Sequence, residues 1–338
     1  MKNALWMSMF LVAGATAIAA PAAASPPVGT ISPVTGNLSQ TVCINPEGIT
    51  IDLQGNIYTG SAALTSPTHI CKFDHNGAFV KSVAIPAGPG GIAPLLGVHF
   101  EPPHTVFALD FANTLASPPT SFGNNKGRVL SVNMETGVVT TIASGFAFPN
   151  GFAEDLLGRL YVTDSFHGTI TRMNQDGSGL TVWSADPLLA GTPFPPLPIG
   201  ANGIALDFFF QHLYVSNTTK RQIIRIDMGP GWTAGAAQVF ADGATIDATA
   251  LKGADGIAFD LLGNLYVMAN AVNEIQVLSH SGQLTARYSN SPSVPLDVTA
   301  SPIFWGNQLF FTNLSLYDGG VNSSVAVLQT PIPGLPPL

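Results

Sequence analysis

The stretch ADGIAFDLLGNLYVMAN (254–270) recurs through the chain with small changes. Three other copies are clear: PEGITIDLQGNIYTG (46–60), PNGFAEDLLGRLYVTD (149–164) and ANGIALDFFFQHLYVSN (201–217). Two copies are weaker: LLGVHFEPPHTVFALD (95–110) and VTASPIFWGNQLFFTN (298–313). Neighbouring copies are spaced by about 44 to 54 residues, so six units of about 50 residues fill the chain. Internal repeats of this length indicate a solenoid or a propeller.

Each copy reads as an alternating apolar run, a tight turn and a second strand, which is the pattern of a β-hairpin. Further strands follow, for example at 169–173 and 274–278. Six units of four strands predict an all-β fold, a six-bladed β-propeller with four-stranded antiparallel blades around a central tunnel. Five or seven blades are the alternatives, and a solenoid would need capping repeats that the chain does not show. We predict one propeller domain over residues 25–338, although length alone suggests two domains.

Composition limits the partners that the protein can have. The 338 residues include only 12 Lys and Arg but 20 Asp and Glu, so the formal net charge is -8. Because nucleic-acid binding needs a basic stripe, we expect no nucleic-acid partner. Glycine and proline supply 35 and 27 residues, which suits a β fold with many tight connections.

The N-terminus has the pattern of an export signal. Lys2 precedes an apolar run from about Ala4 to Ala20, and Pro21 and three alanines lead to Ser25. We therefore predict a cleaved signal peptide over residues 1–24, an exported protein in the periplasm or outside the cell, and no membrane span after cleavage. An uncleaved anchor is the alternative. In such a compartment Cys43 and Cys71 favour one structural disulfide over two buried free thiols.

One position of the repeat carries the candidate chemistry. It lies just before the residue that opens each inner strand, so in a propeller the six positions converge on one end of the tunnel. Down the copies it reads Glu47, Leu96, Asn150, Asn202, Asp255 and Thr299. Two carboxylates and two amides form an oxygen-only set with a charge of -2, which suits a divalent cation. Ca²⁺ fits best, and Zn²⁺ or Mn²⁺ are alternatives.

Turn chemistry is the competing interpretation of this position, because Asn and Asp before Gly also suit tight turns. Glu47 argues against the turn interpretation, because Glu is a poor turn residue and its longer side chain can reach toward the tunnel axis.

At these residues the sequence resembles the senescence marker protein (regucalcin)/gluconolactonase family of six-bladed propellers, which is related in fold to paraoxonases and diisopropyl fluorophosphatase. The resemblance covers the chain through its repeat, and its specific part is the order Glu, Asn, Asn, Asp. It implies that Glu47, Asn150, Asn202 and Asp255 hold a catalytic divalent cation. It also implies that Asp255 acts as a general base toward the attacking water.

One departure from the family changes the expected substrate. Sugar-lactone hydrolases of the family have an arginine two residues before the third-blade Asn, where this chain has Phe148. A phenyl ring cannot donate hydrogen bonds to a polyol, so we expect an apolar or aromatic lactone or ester. Phe146 is a further candidate for the substrate pocket, as are Phe111 and Phe194.

Other candidates follow the second strands at the same end of the tunnel. Asp164 is a candidate substrate-binding residue and His167 a candidate catalytic base, although a strand-end Asp and a surface His are more often structural. His99 replaces the small inner-strand residues of other blades and is more typical of a packed histidine.

We therefore predict an exported, metal-dependent hydrolase of lactones or esters, monomeric, with a small-molecule substrate. Two alternatives remain open. One is a non-enzymatic propeller that calcium stabilises and that binds a protein or polymer. The other is a lyase similar to strictosidine synthase, which shares the fold but lacks a metal.

Overall fold

The computed structural model describes residues 26–112, 125–193 and 197–335. The predicted signal peptide, residues 1–24, and Phe194 lie outside this part of the chain. Within it, no helix combines the length and the apolar character that a membrane crossing requires.

The predicted six-bladed propeller is confirmed. The described strands form six four-stranded antiparallel sheets. In chain order the strands are β1 (Ile31–Pro33), β2 (Pro46–Ile51), β3 (Ile57–Ser61), β4 (Thr68–Phe73), β5 (Phe79–Ile85), β6 (Leu95–Glu101), β7 (Thr105–Asp110), β8 (Gly127–Asn133), β9 (Val139–Phe146), β10 (Pro149–Glu154), β11 (Arg159–Asp164), β12 (Thr169–Asn174), β13 (Thr181–Ser184), β14 (Ala201–Leu206), β15 (His212–Asn217), β16 (Gln222–Met228), β17 (Ala234–Asp242), β18 (Ala254–Phe259), β19 (Leu265–Ala269), β20 (Glu274–Leu278), β21 (Leu284–Tyr288), β22 (Thr299–Trp305), β23 (Gln308–Asn313) and β24 (Ser324–Gln329). Helical structure among the described residues is limited to α1 (Gly243–Ile246) and the 3₁₀ turns Pro187–Leu189, Pro230–Trp232 and Asn270–Val272.

Blades 1 to 5 are each built from four consecutive strands, beginning with β2, β6, β10, β14 and β18. Blade 6 combines β22, β23 and β24 with β1 as its outermost strand. Ile31 of β1 pairs with Leu328 of β24, so the two ends of the described chain meet in one sheet. This closure leaves no blade with a missing strand.

Within a blade, burial decreases from the tunnel outward. The inner strand β2 is buried along its whole length, whereas only two of the seven residues of the outer strand β5 are buried. Aromatic rings fill the space between neighbouring blades, as where Tyr58 stacks on Phe100 with ring centres 5.3 Å apart. The core is therefore a set of layers between blades.

All inner strands begin at the same end of the tunnel, which we call the mouth. The turn that follows each inner strand lies at the opposite face, which we call the base. Near the mouth of blade 1, Cys43 forms a disulfide with Cys71 of β4. This bond holds the segment that leads into β2 against its own blade.

Candidate metal centre at the mouth of the tunnel

The candidate ligand position lies in an irregularity of every inner strand. In each blade the pairing register with the second strand shifts between the residue before this position and the residue two after it, as between Pro46 and Ile49. Such a bulge redirects side chains away from the regular alternation of a strand. It explains why a polar residue at this position lies buried at the tunnel instead of between blades.

Glycines bring the bulges of neighbouring blades together. In five blades a glycine follows the ligand position, and a Cβ at any of them would lie 2.3–2.7 Å from a carbonyl oxygen of the next blade. At Gly203, for example, the Cβ would lie 2.3 Å from the Asp255 carbonyl oxygen. Only glycine permits this approach. These contacts order the positions around the tunnel as Glu47, Leu96, Asn150, Asn202, Asp255 and Ala300.

The sixth position corrects the sequence alignment, which had placed Thr299 there. Thr299 pairs with Asn313 as Ala254 pairs with Ala269, so Thr299 corresponds to the residue before the ligand position. The shift by one residue arose because blade 6 has Ser301 where the other blades have glycine. The ring therefore contains four polar and two apolar side chains.

The four polar side chains are almost fully buried, with relative exposures of 4–6%. Asn150 donates its amide hydrogen to Ser165 Oγ over 3.1 Å, and Asn202 donates to Thr218 Oγ1 over 3.0 Å. Because the amide nitrogens are used in this way, the Oδ1 atoms remain as candidate ligands. Glu47 Oε2 is buried and has no hydrogen-bond partner.

The electrostatics of the two acids favour a cation. Burial raises the pKa of Glu47 well above its ordinary value, and the nearby charge of Asp255 raises it further. Burial also raises the pKa of Asp255 to about 7, although hydrogen bonds from the Asn270 and Asn202 amides oppose that shift. Among the described residues neither carboxylate forms an ion pair with Lys, Arg or His. Two buried acids, two amide oxygens and an unpartnered carboxylate oxygen fit a divalent cation.

A second layer of residues holds the candidate ligands in place. Asn270 Nδ2 donates to Asp255 Oδ2 over 2.8 Å. Hydroxyls on the second strands donate to backbone carbonyls of the next blade: Thr163 to Asn202, Ser216 to Asp255 and Thr312 to Glu47, each over 2.6 Å. In the sequence these hydroxyl residues are the Thr or Ser that precedes the last residue of LYVTD, LYVSN and LFFTN.

Apolar side chains complete the ring, where Leu96 and Ala300 lie on either side of Glu47 in the order around the tunnel. Leu96 and Ala300 of the ring belong to one buried cluster with Phe111 and Phe148. Phe148 stacks on Phe111 with ring centres 4.8 Å apart and contacts Phe166 at 4.5 Å. We call Leu96, Phe111, Phe148, Phe166 and Ala300 the mouth cluster. Its position places an apolar wall beside the candidate metal ligands.

Phe146 lies elsewhere. It packs between blades 2 and 3 with residues such as Leu109 and Leu160, in a cluster separate from the mouth cluster. The structure therefore brings Phe148 and Phe111 to the mouth and does not bring Phe146 there.

Asp164 and His167 form a hydrogen-bonded pair at the mouth end of β11. Asp164 is fully buried, and its carboxylate accepts hydrogen bonds from the backbone N–H groups of Ala147 and Phe148 over 2.8 and 3.0 Å. His167 Nδ1 lies 2.8 Å from Asp164 Oδ2, and the His167 side chain is 42% exposed. Asp164 thus anchors Phe148 and orients His167, which leaves His167 Nε2 as the free ring nitrogen.

A further set of potential ligands lies toward the base. Ligand atoms of His99, Glu101 and Glu154 are within 4.8 Å of one another. His99 Nε2 lies 2.7 Å from Glu154 Oε2, and Gln175 Nε2 donates to both glutamates. These hydrogen bonds link blades 2 and 3 and satisfy the group without an ion.

Known proteins share the fold and part of the sequence pattern. The family model described as SMP-30/Gluconolactonase/LRE-like region matches residues 197–314, which include Asn202 and Asp255. The family resemblance is confirmed. The matched region covers blades 4 and 5 and part of blade 6. No curated protein sequence matches the chain significantly.

Solved structures of the same fold include two enzymes and one calcium-binding protein. A luciferin-regenerating enzyme has a TM-score of 0.63 and 14% identity, covering 91% of this chain and 98% of its own. The calcium-binding protein regucalcin from Agrobacterium tumefaciens has a TM-score of 0.60 and 18% identity, with coverages of 86% and 92%. Virginiamycin B lyase from Staphylococcus aureus has a TM-score of 0.56 and 18% identity, with coverages of 91% and 89%. At these identities the likeness shows the fold alone.

Proposed function

We propose that the protein is an exported, divalent-metal-dependent hydrolase, with Ca²⁺ as the metal, that acts on an apolar lactone or ester. The observation that carries this proposal is the buried pair Glu47 and Asp255, which has no cationic partner among the described residues and lies beside the mouth cluster. A purely structural hydrogen-bond network would leave no carboxylate oxygen of Glu47 without a partner.

Glu47, Asn150, Asn202 and Asp255 would hold the cation. When bound, a divalent cation polarises a carbonyl group and stabilises the negative charge that develops on its oxygen. Calcium suits an oxygen-only set because it accepts six to eight oxygen ligands at irregular angles. The calcium-binding regucalcin of the same fold also supports this choice.

The remaining steps fall to side chains around the mouth. Phe148 and Phe111 would bind the apolar part of the substrate and exclude water from it. As a carboxylate, Asp164 can only accept a hydrogen bond from His167 Nδ1, so His167 Nε2 is free to accept a proton from the attacking water. Asp255 is the other candidate base, but a cation bound to it would lower its basicity.

Export and a small-molecule partner belong to the same proposal. The pattern of residues 1–24 supports passage through a membrane, and the mature protein would act as a monomer in the periplasm or outside the cell. The net charge of -8 supports the absence of a nucleic-acid partner.

The test is a substrate panel that contains aryl esters, alkyl lactones, aldonolactones and phosphotriesters, assayed with added Ca²⁺ and with EDTA. We expect calcium-dependent hydrolysis of the aryl ester or alkyl lactone and little turnover of the aldonolactone. Asp255→Ala should abolish this activity, whereas His167→Gln should lower kcat with a smaller change in KM. Full activity in Asp255→Ala would overturn the mechanism, and no activity on the whole panel would favour a binding protein.

A further inference from the structure

A small cavity lies between blades 1 and 2 at the base of the propeller, the face opposite the candidate metal centre. Its volume is about 210 Å³, which is smaller than the pockets of drug-sized ligands and suits a molecule with one ring. We call it the base cavity, and it is lined by Tyr58, Lys72, Lys81, His104, Met134 and Glu135. Tyr58 and Met134 are buried and give the cavity apolar surface, whereas three of the other four side chains are basic.

Two lysines lie opposite each other in this cavity. Lys72 of β4 pairs with Lys81 of β5 in the sheet register, and like charges at directly opposite positions repel. Lys72 Nζ is neutralised, because it lies 3.3 Å from Asp52 Oδ2 and over the Tyr58 ring, 5.0 Å from its centre. Lys81 Nζ makes a long hydrogen bond of 3.4 Å to the Glu135 carbonyl oxygen, and in the described part of the chain it forms no ion pair with a carboxylate. The base cavity therefore contains a cation that can accept an anionic partner.

The acid at the rim of the cavity has its own partner. Glu135 Oε2 lies 3.1 Å from His104 Nε2, and both side chains are more than half exposed. Because water and salt screen exposed charges, this carboxylate repels an anion in the cavity only weakly.

The interface between blades 3 and 4 is built in the same way. In the first blade of each interface, an aromatic residue of the second strand pairs with a cationic residue of the third strand: Tyr58 with Lys72, and Tyr161 with Arg172. In the following blade, a methionine at the end of the third strand donates its backbone N–H over 2.8 Å to the residue before the second strand: Met134 to His104, and Met228 to Gln211. The turn after Met228 therefore corresponds to the turn that lines the base cavity.

An aromatic residue occupies the interface between blades 3 and 4. The Trp232 carbonyl oxygen accepts hydrogen bonds from Arg172 Nη1 over 2.8 Å and from Trp183 Nε1 over 2.7 Å. The Arg159 guanidinium lies over the Trp232 ring, 5.5 Å from its centre. This interface thus binds an aromatic ring together with an acceptor oxygen. The corresponding turn of blade 2, residues 134–137, contains no aromatic residue.

We propose that the base cavity binds a small aromatic carboxylate, with the carboxylate at Lys81 and the ring against Tyr58 and Met134. The ligand would supply the two groups that Trp232 supplies between blades 3 and 4, a ring and an acceptor oxygen. A full negative charge is favoured over a neutral acceptor, because a hydrogen bond between two charged groups is stronger than one to a neutral oxygen. The site lies at the base and does not depend on the proposed hydrolase activity at the mouth.

The experiment is isothermal titration calorimetry of the full chain with benzoate, in EDTA so that no cation at the mouth binds the carboxylate. Lys81→Met removes the charge from the base cavity and keeps an unbranched side chain. Lys252→Met is the matched control, because Lys252 is exposed and lies at the mouth, two residues before β18. Glu135→Gln removes the negative charge at the rim and keeps the carbonyl oxygen that accepts from Lys81.

We expect Lys81→Met to weaken benzoate binding by about tenfold or more, because a charge-assisted hydrogen bond is lost. Lys252→Met should bind benzoate like the unmodified chain. Glu135→Gln should bind it about two- to threefold more tightly, since less negative charge remains at the rim. Equal affinity of Lys81→Met and the unmodified chain would overturn the proposal, because benzoate would then bind elsewhere, as at the mouth cluster. Melting temperatures show that each variant is folded.

Further titrations test the chemical class of the ligand. Benzamide has the ring without the charge, and acetate has the charge without the ring, so each should bind at least about tenfold more weakly than benzoate. Benzamide binding as tightly as benzoate would exclude a role for the Lys81 charge. If acetate or inorganic phosphate bound as tightly, the cavity would be a simple anion site and the aromatic assignment would be wrong. No detectable binding of benzoate would overturn the proposal as a whole.

Discussion

Glu47 and Asp255 are ordinary acids in the sequence, and only their shared burial makes them unusual. Their pKa values are raised by removal from water, and for Glu47 also by the charge of its neighbour. An acid in this position is stable either as the protonated form or with a cation bound to it. The residue scale therefore predicts how the protein responds to pH and to metal removal.

The metal-free protein should lose stability as pH rises from about 4 to about 7. In this window the folded protein retains the Asp255 proton, because its pKa is raised to about 7, whereas the unfolded chain has released it. The unfolded state thus binds fewer protons, and the free energy of unfolding falls with increasing pH. Thermal melting in EDTA across this range should show the decline.

Asp255→Asn is the control for this pH dependence, because the amide does not titrate. Its melting temperature in EDTA should change less between acidic and neutral pH than that of the unmodified protein. Added Ca²⁺ should reverse the trend in the unmodified protein, since the cation competes with protons for the same oxygens. An equal pH slope in both proteins would exclude Asp255 as its source.

Asn270 should contribute to metal affinity without contacting the ion. Its amide donates to Asp255 Oδ2 over 2.8 Å, so Asn270→Ala frees the carboxylate to rotate. Loss of such a partner lowers metal affinity by about 10- to 100-fold. Calcium titration calorimetry measures the effect.

Asn264→Ala is the matched control for Asn270. Asn264 Nδ2 also donates to a buried aspartate of blade 5, Asp260 Oδ2, over 2.7 Å, but at the base. This variant should retain calcium affinity. A similar loss of affinity in both variants would indicate a general effect on the blade.

At the scale of elements, the inner hairpin positions the site. The bulge directs the ligand side chain to the mouth, and the glycine after it allows the next blade to approach. The second strand then donates a hydroxyl hydrogen bond to the ligand residue of the next blade. Glu47, Asn202 and Asp255 are therefore each held by two blades, and a change in one of these hairpins affects its neighbour.

Two buried threonines in blade 6 test this dependence. Thr312 Oγ1 donates to the Glu47 carbonyl oxygen over 2.6 Å, whereas Thr299 Oγ1 has no hydrogen-bond partner. Thr312→Val should cost about 1–3 kcal/mol in the free energy of unfolding, because a buried carbonyl loses its donor. It should also weaken calcium binding, since Glu47 loses its support.

Thr299→Val has the same change in shape and should be neutral or stabilising, because it removes a hydroxyl that has no partner. Urea unfolding of both variants gives the comparison. Equal destabilisation would mean that loss of the hydroxyl matters less than altered packing.

At the scale of the whole molecule, β1 closes the ring of blades. It supplies the outer strand of blade 6, and its Ile31 is buried in a core that also contains Leu309 and Leu328. Blade 6 in turn supports Glu47 of blade 1 through Thr312. Closure and the metal centre are therefore connected through the last blade.

Ile31→Ala should destabilise the protein by about 2–5 kcal/mol, because it leaves a cavity in blade 6. Val28→Ala changes an exposed residue of the same segment and should have little effect. Thermal melting with and without Ca²⁺ compares the two. An effect of Ile31→Ala no larger than that of Val28→Ala would show that β1 contributes little to closure.

Much of the candidate site could be read from sequence because the repeat makes positions equivalent. Glu47, Asn150, Asn202 and Asp255 were found by their shared place before a glycine, and the structure places them on one ring. Ala300 could not be found in this way because blade 6 lacks that glycine. Phe146 was expected in the substrate pocket but packs between blades 2 and 3, because the direction of its side chain depends on tertiary packing. The role of Asn270 depends on the direction of its side chain, which a repeat does not specify.

The sequence by itself determined the number of blades, the hairpin in each blade and the four polar residues that inner strands bring to the mouth. These features follow from local patterns of apolar residues, turns and glycines. The tertiary structure decided the closure by β1, the hydroxyl contacts between blades and the mouth cluster. Each depends on residues that are distant in the chain, such as Thr312 and Glu47, and become neighbours only when the ring closes.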